Sequence, residues 1–150
     1  MKIATFNINN INRRLPNLLQ WLKEARPDIV CLQELKSSDA AFPQAELKRA
    51  GYYAVWRGEK TWNGVAILAR RAKPILTRTA LPGDPNDRQA RYIEAAVEGL
   101  LICCLYLPNG NRQPGPKFKE LYDASCSDTS AIAGREGPRL PESKVRGGGG

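Results

Sequence analysis

The chain has 150 residues, 42% of them hydrophobic and 25% charged, which suits one globular domain with a real core. Its net charge is +8, and the excess falls in residues 1–118, which hold 18 Lys/Arg against 10 Asp/Glu, whereas residues 119–150 hold five of each. A basic surface favours a polyanionic partner, no apolar run reaches the roughly 18 residues of a membrane span, and Met1-Lys2-Ile3-Ala4 opens no signal peptide; the expectation is an intracellular, cytoplasmic protein with no membrane contact.

Lys2–Ile8 alternates and predicts a strand. Leu15–Ala25 places Leu15, Leu18, Leu19 and Leu22 at helical spacing, with Pro16 as a start signal and Pro27 past the end. Asp28–Gln33 predicts a short strand buried on both faces, so the first unit is strand, helix, strand, the connection a parallel pair needs. Pro43–Ala50 predicts a second helix, stopped by Gly51. Strands are then expected near Tyr52–Arg57, Gly64–Ala69, Ile75–Ala80, Arg91–Val97 and Leu100–Leu107, with a loop at residues 82–87 and a tight turn at Glu98-Gly99. The mixture predicts an α/β layered sandwich.

Past Phe118 the periodicity stops. Ser125-Cys126-Ser127-Asp128 and the closing Gly147–Gly150 belong to a polar, Gly-rich stretch that is expected to be disordered, because it has too little apolar surface to offset ordering entropy. The expected division is therefore a folded part over 1–118 and an irregular tail over 119–150. Cys31, Cys103 and Cys104 sit in apolar runs as small hydrophobes. With no zinc-ligand spacing and no histidine, zinc is not expected, and an intracellular chain is not expected to carry a disulfide framework.

Chemistry is expected where the first two strands end. Asn7 closes one and Glu34 the other, and parallel neighbours end side by side, so an amide and a carboxylate would meet at one sheet edge, the usual place for ligands in open α/β sheets. Oxygen donors of this kind suit Mg²⁺, which often takes one or two protein carboxylates. Taken singly, such a Glu is more often a solvated strand end and such an Asn a turn former.

Met1–Asn9 and Pro27-Asp28-Ile29-Val30-Cys31-Leu32-Gln33-Glu34-Leu35-Lys36 resemble the exonuclease III branch of the endonuclease/exonuclease/phosphatase superfamily. Trp62-Asn63-Gly64-Val65-Ala66-Ile67-Leu68 is similar to the third segment shared by that branch, and Leu105-Tyr106-Leu107-Pro108-Asn109-Gly110 to the fourth. The resemblance covers about residues 1–118. It implies the N-terminal half of that layered α/β sandwich. It also implies a DNA-repair hydrolase that cuts double-stranded DNA at abasic sites or from 3′ ends, using Mg²⁺ or Mn²⁺. Glu34 would then be the main metal-binding carboxylate, Asn7 the amide beside it, and Tyr106 a catalytic phenol that donates to phosphate or, with a lowered pKa, helps activate water. Asn9 would support them, while Asn10 replaces the usual glycine and leaves the local turn in question. Arg13, Arg14, Lys36, Lys60, Trp62 and Arg91 would be DNA-binding residues, with Arg57 beside them in the basic cluster.

In that family the second half brings a glycine-aspartate-x-asparagine segment and a closing serine-aspartate-histidine segment. Ser127-Asp128-Thr129 only echoes the latter, with Thr in the place of His. A shifted frame or a truncated gene is expected, and with it a chain inactive alone. The resemblance further implies that the second half supplies the facing sheet, so that strand faces such as Leu100–Leu107 lie uncovered. The alternatives are a non-catalytic DNA-binding remnant, or a phosphoesterase acting on non-DNA phosphates; no protein partner can be inferred.

Overall fold

The computed structural model describes residues 1–107 apart from 82, 84, 85 and 87. The expectations for the tail, for the loop residues among those four and for residues 108–118 lie outside the described residues.

The alternating N-terminus forms β1 (Ile3–Asn7), followed by α1 (Ile11–Ala25) and β2 (Ile29–Gln33). Helix α1 starts four residues before the expected Leu15, and Pro16 lies inside it rather than at its first position. Asn10 is the true cap: its side chain accepts from the Arg13 backbone N–H at 3.0 Å, satisfying an otherwise orphaned donor. Asn10 also takes a φ of 83°, so it keeps a turn of the kind glycine serves best. Arg26 ends the helix in the left-handed region, its N–H reaching Leu22 O at 3.1 Å.

A short 3₁₀ turn at Asp39–Ala41, not foreseen from the sequence, precedes α2 (Gln44–Arg49). The chain then builds β3 (Tyr53–Arg57) and β4 (Val65–Ala69). These complete a four-stranded sheet in the order β1-β2-β4-β3, in which β1 and β2 are parallel and the other pairs antiparallel. Its registers place Asn7 beside Gln33, and Gln33 beside Val65. The ends of β1 and β2 and the start of β4 therefore share one edge.

The remaining strands, β5 (Ile75–Arg78), β6 (Tyr92–Val97) and β7 (Leu100–Leu105), form a separate antiparallel meander. Its β6–β7 turn is the expected Glu98-Gly99, with both residues at positive φ (48° and 82°), as a two-residue hairpin of matching twist requires.

Each face of the first sheet buries a different layer. Val30, Leu32, Ala66 and Leu68 pack against Ile11, Leu18, Leu22 and Leu47 from the helical side. Ile29, Cys31, Val65, Ile67 and Ala69 meet Ile93, Ala95, Val97 and Cys104 of the second sheet. This corrects the expectation that the facing sheet must come from elsewhere: the chain supplies it, because the alternate residues of β6 and of β7 that face inward are apolar and close over the first sheet. The far side of the second sheet is less covered, with Ile75 68% and Leu101 52% exposed. Among the described residues no helix is long and apolar enough to cross a membrane.

Candidate active site

Three loops converge where β1, β2 and β7 end. After β1, Ile8 N–H donates to Gln33 O at 2.9 Å, Asn10 N–H to Glu34 O at 2.9 Å, and Ile11 N–H to Leu35 O at 3.0 Å. After β2, Leu35 N–H donates to Gly64 O at 3.1 Å and Lys36 N–H to Asn63 O at 3.0 Å. Glu34 and Lys36 both adopt positive φ (54° and 47°), a sparsely populated conformation for side chains with a Cβ, held here by those bonds on either side.

That backbone brings Glu34 to the centre. Tyr106, just past the end of β7, donates its hydroxyl to Glu34 Oε1 at 2.8 Å, linking the two sheets. Lys36 Nζ lies 3.0 Å from Glu34 Oε2 and donates to Asn9 Oδ1 at 2.7 Å. Asn7 Oδ1 in turn accepts from the Asn9 backbone N–H at 3.0 Å, and the Asn7 side chain also hydrogen-bonds Glu34. Asn7, Asn9, Glu34, Lys36 and Tyr106 thus form one connected group; the sequence pointed to Asn7 and Glu34 at one edge but not to the pairing of Lys36 with Glu34 and Asn9.

Two opposing effects set the acidity of Glu34. Partial burial pushes its carboxyl up; the hydrogen bonds from Asn7, Lys36 and Tyr106, with the Lys36 charge, outweigh that and hold it below the ordinary value of 4.5. Tyr106 moves the other way. Burial, then its bond to the Glu34 carboxylate, raise the phenol above 10.0, with Arg91 opposing. Paired with the Glu34 carboxylate in this way, the phenol is held in its protonated form. At neutral pH it is a hydrogen-bond donor.

This supports a titration prediction. The stability that Glu34 contributes is present above its unfolded value and is lost as pH falls through its lower folded value. In Tyr106→Phe one of the lowering bonds is gone, so the Glu34 midpoint, followed by NMR of its side-chain carboxyl carbon, should rise toward 4.5. A wild-type midpoint above 4.5, or no change in the variant, contradicts the geometry.

The other predicted residues lie around this group. Arg13 and Arg14 occupy the first turn of α1, and Arg14 joins Asn7, Thr5, Phe6, Asn17 and Trp21 around a cavity of about 530 Å³ beside β1. Lys60 and Trp62, the latter 67% exposed, sit on the loop from β3 to β4 at the same edge. Arg91 immediately precedes β6, and its carbonyl accepts from Tyr106 N–H at 2.8 Å. Arg57 is turned elsewhere, its guanidinium donating to Thr79 O beyond the end of β5.

Sequence reasoning missed two participants, Glu59 and Asn63. Asn63 is only 8% exposed, and its amide bridges Glu59 and Arg91. Its place between Trp62 and Gly64 drew attention to the segment but not to the side chain; a polar residue entering an apolar strand was the available signal.

For a divalent cation, Glu34 and Asn7 offer hard oxygen donors. Among the described residues no three His, Cys, Asp or Glu are grouped to hold a metal ion. A single carboxylate with amide support fits Mg²⁺ or Mn²⁺, which keep several waters, and does not fit a closed zinc site.

Residues 4–124 match the model of the Endonuclease/Exonuclease/phosphatase family. The chain is 37% identical over 114 residues to the exodeoxyribonuclease III of Haemophilus influenzae, a match covering 73% of this chain and 42% of that protein. Among solved structures it resembles a 3′-5′ exonuclease from Neisseria meningitidis, with 44% identity and a TM-score of 0.74 over 80% of this chain and 46% of that one. It also resembles an AP endonuclease from Archaeoglobus fulgidus, with 39% identity and a TM-score of 0.72 over 82% and 46%. The chain spans less than half the length of these relatives.

Proposed function

The chain belongs to the endonuclease/exonuclease/phosphatase family, and from that premise we propose that residues 1–118 form the N-terminal part of an exonuclease III-type nuclease, an intracellular enzyme that hydrolyses phosphodiesters of double-stranded DNA at abasic sites or 3′ ends. The observation that carries this reading is the Tyr106–Glu34 hydrogen bond, made across two sheets, with Lys36 on the second carboxylate oxygen. It gathers an acceptor for a cation and donors for a phosphate at one edge. The net charge of +8, together with the match to exonuclease III-type relatives, favours DNA over small or lipid phosphates.

In this reading Glu34 and Asn7 would hold Mg²⁺ or Mn²⁺. When bound, such an ion supplies polarisation of a phosphoryl oxygen and stabilisation of the leaving oxygen. Lys36, whose ammonium lies 3.0 Å from Glu34 Oε2, would add positive charge where the phosphate sits. Tyr106, kept protonated, would donate to a phosphate oxygen as charge develops there. Arg13, Arg14, Lys60 and Arg91 would grip the backbone, and Trp62 would press on a base or sugar.

Water activation is a different matter. The chain contains no histidine, so an aspartate–histidine pair cannot be assembled from it. We therefore propose that the 150-residue polypeptide binds DNA but does not cut it. Purified protein with Mg²⁺ should leave an abasic-site duplex uncut on a gel, while filter binding should weaken steeply between low and moderate salt. Cleavage that disappears in Glu34→Ala would overturn the proposed inactivity. Binding that ignores salt would overturn the DNA reading.

A further inference from the structure

The loop from β3 to β4 is tied to the start of β6 by a carboxylate and an amide in series. Glu59 Oε2 accepts from the Ala90 backbone N–H at 3.0 Å, and Glu59 Oε1 accepts from Asn63 Nδ2 at 2.8 Å. Asn63 Oδ1 then accepts from Arg91 Nε at 3.2 Å. The polarity of this chain is fixed at both ends. A carboxylate can only accept and a guanidinium can only donate, so the Asn63 amide fits in one orientation alone. It is buried, where an unpaired amide would be costly. The same segment is anchored by its backbone to both halves of the site, since Asn63 O accepts from Lys36 N–H at 3.0 Å and Gly64 N–H donates to Ala90 O at 2.8 Å.

We propose that Glu59 and Asn63 are positioning residues that set the plane of the Arg91 guanidinium beside Tyr106, so that Arg91 meets a DNA phosphate in one orientation. The proposal rests on the DNA-binding reading above. Holding Arg91 through Nε removes rotamer freedom that would otherwise be lost on binding. Glu59 is thus an acidic residue that helps bind a polyanion, acting through Asn63 and the Ala90 amide rather than through its own charge.

That makes the sign of its mutation diagnostic. Removing a negative charge from a DNA-binding surface ordinarily strengthens association. Here Glu59→Ala should instead weaken it, by roughly threefold to tenfold, and lower the salt slope by about 1, as loss of one phosphate contact does. Arg91→Ala should do the same, and the double variant should be no weaker than Arg91→Ala, because both remove one contact.

The experiment measures fluorescence anisotropy of a labelled abasic-site duplex with the full 150-residue chain at several salt concentrations. The Arg91 Nε–H signal is followed in parallel by NMR. The wild type should show that proton protected from exchange, and Glu59→Ala should lose the protection while still melting cooperatively. Where Glu59→Ala does not fold, Glu59→Gln, which keeps the bulk and one acceptor, makes the same comparison. Tighter binding by either Glu59 variant, or weaker binding with the Arg91 Nε–H still protected, overturns the positioning role while leaving the DNA reading intact. No binding by the wild type overturns both.

Discussion

Gly64→Ala should destabilise the chain by roughly 3 kcal/mol and disorder the site, since a strained φ and an overpacked contact each cost about 1–3 kcal/mol. Gly64 has a φ of +92°, and a Cβ built on it would lie 2.7 Å from Leu35 Cβ and 3.3 Å from Leu35 N. Leu35 cannot yield, being fully buried between Glu34 and Lys36. Gly64 is also bonded through both its N–H and its carbonyl, so it cannot rotate away without loss. Any displacement passes directly to the two residues whose side chains meet at the carboxylate. Gly51 is the control: its φ is +87° but nothing lies within 4 Å of its added Cβ, so Gly51→Ala should cost only the conformational part, about 1 kcal/mol. Urea melts of the two variants give the comparison. Equal losses would show that the close approach to Leu35 is unimportant.

Ile67→Ala and Leu68→Ala should each cost about 3 kcal/mol, the usual range for a large aliphatic removed from a packed core being roughly 2–5. Both side chains are fully buried, on successive positions of β4. Their consequences should differ. Leu68 points to the helical layer, whereas Ile67 fills the space between the sheets. Only Ile67 lies in the layer that sets the spacing across which Tyr106 reaches Glu34. Ile67→Ala should therefore also raise the Glu34 midpoint, as Tyr106→Phe does, and Leu68→Ala should not. A rise in both, or in neither, would show that the site does not depend on inter-sheet packing.

Much of this arrangement is legible in the residues themselves. Ile29–Gln33 and Val65–Ala69 are apolar runs too short for helices, and both are buried strands. Glu98-Gly99 is a turn because glycine tolerates the positive φ that the hairpin demands. Asn7 and Glu34 were placed at one edge by the parallel connection alone, and the structure puts them there. The start of α1 was missed because Pro16 is a strong start signal, whereas Asn10 had been read as a departure from glycine and not as a cap. The origin of the second sheet was missed for another reason. The expectation came from the family resemblance, and it overrode a plain alternation of Ile93, Ala95 and Val97 on β6. Asn63 and Glu59 escaped notice because their role depends on Ala90 and Arg91, which no local pattern connects to them.

The Tyr106–Glu34 bond joins groups 72 positions apart, whereas among the described residues β6 pairs with its chain neighbours β5 and β7. Contacts between chain neighbours close within microseconds, but distant ones must first meet the entropy of a long loop. The meander can therefore form early, and the carboxylate can acquire its phenol partner only after both sheets exist and have docked. Until then Glu34 has Asn7 and Lys36 beside it from the first sheet but lacks the phenol, one of the groups that lower its pKa. In kinetic terms the Tyr106–Glu34 bond acts as a reporter of completed assembly: it is withheld from any form of the chain in which the two sheets have not docked.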